Sequence, residues 1–88
     1  MNFLHYDLGF VNQGAVVLVT LSAQANVKLL DESNFRSYQQ HGRHEYFGGL
    51  AKVSPARITV PRSGNWHVAV DLGGYAGSVK ASVRVVGK

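Results

Sequence analysis

No cysteine occurs in the chain, so neither a disulfide framework nor a thiolate metal site can reinforce what 88 residues bury by themselves. A domain of this length removes only about 60–65% of its unfolded surface from water, and its stability must come from apolar packing, sheet hydrogen bonds or a partner chain. Long apolar runs are also missing. The longest, Ala15 to Leu21, is broken by Thr20 and falls far short of the roughly 18 residues that a membrane span needs. The opening Met1-Asn2-Phe3-Leu4-His5-Tyr6-Asp7 lacks the basic segment and apolar core of a secretion signal. A cytoplasmic protein without membrane contact is therefore the expectation.

Acidic residues are few, five against nine lysines and arginines, for a net charge of +4. The cations Lys28, Arg36, Arg43, Lys52, Arg57, Arg62, Lys80, Arg84 and Lys88 are scattered without a linear cluster. Such a pattern suits an ordinary solvated surface better than a nucleic-acid footprint.

What the chain does contain is alternation. Asn2 to Leu8 alternates aromatic and apolar residues up to Gly9 and reads as a first strand. Ala15 to Leu21 is rich in β-branched residues, with Val17, Val19 and Leu21 on one face, and is the strongest candidate for a central strand. Further extended segments are predicted over Ala25 to Leu30, His44 to Leu50, Ala56 to Val60, Asn65 to Leu72 and Ser78 to Val86. In the sixth of these seven, Trp66, Val68, Val70 and Leu72 oppose His67, Ala69 and Asp71; in the last, Val79, Ala81, Val83 and Val85 oppose Lys80, Ser82 and Arg84. Ser33 or Asn34 is placed to cap a short helical turn through Phe35, Tyr38 and Gln39, although such a turn is too short to persist alone. The expected fold is a single all-β domain over residues 1–88: a small β-sandwich of six to eight mainly antiparallel strands with room for that one helical turn.

Candidate chemistry is sparse. His41 and His44 flank Gly42-Arg43, and His5 and His67 matter as metal ligands only if the fold joins them. No histidine motif or cysteine supports a metal site, and none is assigned. Serines, histidines and acids can be combined into triads on paper, but none sits in a nucleophile elbow, so no catalytic residue and no cofactor is assigned either. Gly73-Gly74-Tyr75-Ala76-Gly77 lacks the lysine and hydroxyl ending of a phosphate loop and reads as a turn from which Tyr75 projects.

The stretch from Asn34 to Phe47 is the most suggestive. It concentrates aromatics, two arginines, amides and histidines near breaks in regular structure. Arg36, Tyr38, Arg43, His44, Tyr46 and Tyr75 are the candidate binding residues, through charge-assisted hydrogen bonds and ring contacts. Phe35 and Phe47 are expected in the core, whereas Arg36, Tyr38 and Arg43 are expected at the surface. Trp66 offers a stacking face only if it is exposed, and its place in the Val68-Val70-Leu72 stripe argues for the core.

Four stretches together resemble the bacterial family called domain of unknown function 1883. They are Asn2-Phe3-Leu4-His5-Tyr6-Asp7-Leu8-Gly9, Asp31-Glu32-Ser33-Asn34-Phe35 with Tyr38, Tyr46-Phe47-Gly48-Gly49, and Gly64-Asn65-Trp66-His67-Val68 through Asp71-Leu72-Gly73-Gly74-Tyr75-Ala76-Gly77. The resemblance spans nearly the whole chain. It implies a small all-β module that some family members attach to a Toll/interleukin-receptor-like signalling domain, and it supplies no catalytic residue to carry over. The resulting expectation is a non-enzymatic recognition module with an unidentified protein partner. A carbohydrate or nucleotide-like small ligand is the alternative, and assembly into a homodimer through a sheet edge or an aromatic patch is a further expectation.

Overall fold

The computed structural model describes residues 3–73 and 77–87. Within them, β1 (Phe3–Val11), β2 (Val16–Leu21), β3 (Ala25–Asp31), α1 (Glu32–Gln39), β4 (Phe47–Ala51), β5 (Ala56–Thr59), β6 (Gly64–Asp71) and β7 (Ala81–Val86) follow one another. The strands form two sheets, ordered β1-β6-β3-β4 and β5-β2-β7, and every pairing is antiparallel. The expected sandwich of six to eight strands is therefore a sandwich of seven.

Alternation explains the core. Val17 and Val19 on β2, Ala25, Val27 and Leu29 on β3, and Trp66, Val68 and Val70 on β6 are buried between the sheets. Full burial of each valine or leucine stabilises by about 1.5–3 kcal/mol, which lets a cysteine-free chain of this size fold. β6 keeps the predicted period of two, yet its second face is not wet: His67, Ala69 and Asp71 are buried as well. Helix α1 lies over that face, where Phe35 and Tyr38 pack with Leu30, Ala69 and Phe3. The molecule thus has three layers: helix, four-stranded sheet and three-stranded sheet.

Several boundaries differ from the sequence expectation for local reasons. β1 does not stop at Gly9. A bulge between Asp7 and Gly9 absorbs the glycine at φ +66°, and the Asp7 carboxylate accepts a hydrogen bond from the Gly9 amide over 2.9 Å. The helix begins earlier than Ser33 or Asn34 would allow, because Asp31 is the N-cap and accepts from the Asn34 amide over 2.9 Å. Burial works against the Asp31 charge, but the bonds from Asn34 and Ser33 and the Arg62 charge outweigh it and hold the carboxyl below the usual aspartate range. β4 starts at Phe47 rather than His44, since the preceding residues cross the outer face of the sheet as a loop.

Candidate functional site

The two sheets meet differently along their two seams. At one, the Tyr6 hydroxyl of β1 donates to the Ala81 carbonyl of β7 over 2.8 Å. At the other, β4 and β5 stand apart, and a cleft of about 350 Å³ opens between them. Val27, Ile58 and the Gly48-Gly49 backbone line it, with Lys52, Val53 and Arg57 also contributing. Leu50 is 56% exposed and Val53 79%, while Tyr46 and Phe47 are each 43% exposed. Four large apolar side chains thus face water on β4 and the residues that flank it.

β4 is also the least guarded edge. An outer strand presents unpaired amides and carbonyls, which natural sheets blunt with charge, proline or a bulge. β1 has its bulge beside Asp7, β5 carries Arg57 between Pro55 and Pro61, and β7 carries Arg84 with Lys80 just before it. β4, Phe47-Gly48-Gly49-Leu50-Ala51, has no charge, proline or bulge within the strand, and Lys52 follows it directly. Its glycines serve close approach: a Cβ on Gly48, at φ +116°, would lie 2.3 Å from the Val27 carbonyl oxygen.

Charge is segregated between the layers. The five acids, Asp7, Asp31, Glu32, Glu45 and Asp71, belong to the four-stranded sheet, its helix and the loop that follows the helix. The three-stranded sheet and the turns entering β5 and β7 carry Lys52, Arg57, Lys80 and Arg84 without an acid among the described residues.

The candidate residues from the sequence divide accordingly. Tyr46 stands at the entrance to β4 with its ring 4.8 Å from the Lys28 ammonium. His44, half-buried, donates from Nδ1 to the Gly42 carbonyl over 3.0 Å, which leaves Nε2 to accept from Lys28 Nζ at 3.4 Å. Arg43 is exposed in the same loop, and Arg36 is exposed on α1, where it pairs with Glu32 at 3.6 Å. Tyr75 lies outside the described residues.

Tyr38 corrects the expectation of a surface residue, because it is only 1% exposed. Its hydroxyl donates to Asp71 over 2.6 Å, and Asn26 and the Gly73 amide donate to the other Asp71 oxygen. Burial pushes the Tyr38 hydroxyl well above the ordinary tyrosine range, and the Asp71 hydrogen bond and charge push the same way, so it stays a donor. Burial would also raise Asp71, but the donors and nearby Lys28 prevail and hold its carboxyl low. Phe47 is a second correction. It was expected in the core and instead touches Trp66 edge-on at 6.0 Å while remaining open to solvent. Trp66 is buried, as its stripe predicts, and donates from Nε1 to the Arg62 carbonyl over 3.0 Å.

Two features were not legible as a site. Lys28, from a sequence context of ordinary apolar alternation, sits between the Tyr38 and Tyr46 rings. His5 and His67 are joined, 62 residues apart in sequence, by a 2.9 Å bond between Nε2 and Nδ1. His67 Nε2 donates onward to Glu32 Oε1 over 2.8 Å, which makes Nδ1 the acceptor from His5. Both His67 nitrogens are thereby engaged beneath the stacked Phe35 ring, and the pair ties α1 to the sheet.

Fold and site define a helix-backed antiparallel β-sandwich with one unguarded edge above an open cleft. The chain belongs to the family described as Domain of unknown function (DUF1883), which matches residues 1–88. No curated protein and no solved structure matches it.

Proposed function

We propose that the domain is a non-enzymatic protein-recognition module whose contact surface is the β4 edge with the cleft beside it. The observation that supports this reading is the coincidence, on one five-residue strand, of an unguarded edge with the exposed side chains Phe47 and Leu50. Removing such side chains from water favours association at about 25 cal/mol per Å², and the flanking backbone groups supply directional hydrogen bonds. Tyr46 and Arg43 extend the surface toward the helix, whereas Tyr38 acts from beneath by positioning Lys28. The reading supports a protein partner over a small ligand because the buried Trp66 ring offers no stacking face.

The test uses the whole domain immobilised in a lysate of its source cell, in three forms: unchanged, Leu50→Asp with Val53→Asp, and Phe10→Asp. Phe10 is exposed on β1, away from the cleft, and serves as the control. A partner retained by the unchanged and Phe10→Asp forms and lost by the β4 variant supports the reading. Equal recovery by all three, with unchanged melting temperatures, defeats it.

A further inference from the structure

We infer that the ligand of this edge is an extended polypeptide segment that adds to β4 as a fifth strand and carries acidic residues on the N-terminal side of its apolar stretch. The inference rests on the recognition reading above and adds the partner's backbone form, charge and direction.

The backbone form follows from the edge. β4 pairs with β3 through Ala25↔Ala51, Asn26↔Leu50, Val27↔Gly49, Lys28↔Gly48 and Leu29↔Phe47, and among the described residues its other side has no strand neighbour. Alternate backbone groups of β4 therefore point outward, and only an extended chain can meet them in register. Gly48 and Gly49 remove side chains from the middle of the strand, where another backbone would approach; a Cβ at Gly49 would meet nothing within 4 Å. Five residues of pairing span about 17 Å. Residues of the added strand would alternate between the two faces of the sheet, so its apolar positions recur every second residue.

Charge follows from the two ends of the edge. The C-terminal end of β4 runs into Lys52, and Arg57 lies across the cleft from it; no acid lines the cleft. At the N-terminal end Arg43 and Glu45 offset one another, and Lys28 is occupied by its rings, by His44 and by nearby Asp71. Two exposed cations without a carboxylate among the described residues therefore mark the C-terminal end of the edge. An acidic partner segment suits this end of the seam, where Lys52 and Arg57 line the cleft without a carboxylate among the described residues.

Direction follows from the sheet. Every neighbour in the four-stranded sheet is antiparallel, and antiparallel pairing is slightly the more stable per residue. An antiparallel strand places its N-terminal end opposite Ala51 and Lys52, so its acids precede the apolar stretch.

Three synthetic peptides with one alternating valine–threonine core test this. One carries three aspartates before the core, one carries them after it, and one carries serines instead. Titration of the labelled domain at low salt should show the aspartate-first peptide binding about tenfold more tightly than either other, with amide shifts over residues 47–51 and the preference shrinking at high salt. Lys52→Glu with Arg57→Glu should abolish the preference while serine-peptide binding persists. Equal affinity for the aspartate-first and serine peptides overturns the charge assignment, and a preference for the aspartate-last peptide overturns the direction. Absence of shifts in β4 with all three, while the lysate partner is still lost on changing Leu50 and Val53, overturns strand addition and leaves the recognition surface standing. A concentration-dependent doubling of mass that Leu50→Asp removes makes a second copy the occupant and overturns the inference.

Discussion

Tyr38 on α1 and Asp71 on β6 share a 2.6 Å hydrogen bond in a fully buried setting, with the carboxylate ionised and the phenol neutral. Deleting the hydroxyl with Tyr38→Phe should cost about 1.5–3 kcal/mol, the usual range for a hydrogen bond to a charged group. Urea unfolding measures it. Asp71 is held below the ordinary aspartate value near 3.8, so its contribution is complete above that pH and is lost as pH falls through the lower folded value. Losing one donor in Tyr38→Phe should move the carboxyl titration upward, which carbon-detected NMR can follow; an unmoved titration would show that Asn26 and Gly73 suffice.

The Asp31 cap sets where α1 begins. Asp31→Ala removes the acceptor for the Asn34 amide and the partner of Arg62, and should destabilise by about 1–2 kcal/mol. Ser33→Ala, at one of the two positions the sequence alone offers as a cap, should change stability by less than about 0.5 kcal/mol, as ordinary surface substitutions do. Amide exchange at Asn34 and Phe35 reports whether the first turn frays in one variant and not in the other.

The His5–His67 bond makes stability depend on pH near neutrality. Burial lowers the His5 pKa below 6.5, the neighbouring His67 imidazole lowers it further, and Asp7 and Glu32 only partly oppose them. The unfolded chain then binds protons that the native state refuses. The contribution of His5 is complete above about pH 6.5 and declines as pH falls from there through the lower folded value. Urea midpoints at pH 7.5, 6.5 and 5.5 should show that decline, and His5→Asn should flatten it. A decline of equal size in the variant would assign the effect elsewhere.

Gly48 and Gly49 should differ under the same substitution. An alanine at Gly48 places its Cβ against the Val27 backbone, which cannot move aside, whereas at Gly49 only the positive φ of +143° opposes it. Gly48→Ala should cost upwards of about 2 kcal/mol and release β4 amides to exchange, and Gly49→Ala about 1 kcal/mol. Equal costs would mean that conformation alone, without close approach, sets the glycine requirement.

β2, β6 and β7 were legible because their apolar residues alternate and because the sandwich needs that alternation on at least one face. The helix was half legible. Its aromatic spacing was visible, but its cap and the depth of Tyr38 depend on Leu30, Ala69 and Phe3, which lie on other strands. Phe47 misled for the converse reason: an apolar residue on an outer strand has no neighbour to cover it, and composition does not tell which strand is outermost. His5 and His67 could be paired only once β1 lay beside β6, since the register sets His5 against Ala69 and Asp7 against His67, making the histidines diagonal neighbours on one face. The seam between β4 and β5 follows from the order of strands in two sheets, which no local pattern encodes.

The position of β6 between β1 and β3 has a consequence for the order of folding. Both partners are made before it: β1 begins at Phe3 and its last paired neighbour, Asp71, leaves the ribosome on the order of several seconds later at ordinary elongation rates. Through that interval β1 and β3 have no common strand to bridge them, and α1 has no Ala69 or His67 to cover. The four-stranded sheet therefore cannot close before β6 is available to both neighbours, and pairings this distant in sequence belong to the topologies that fold more slowly.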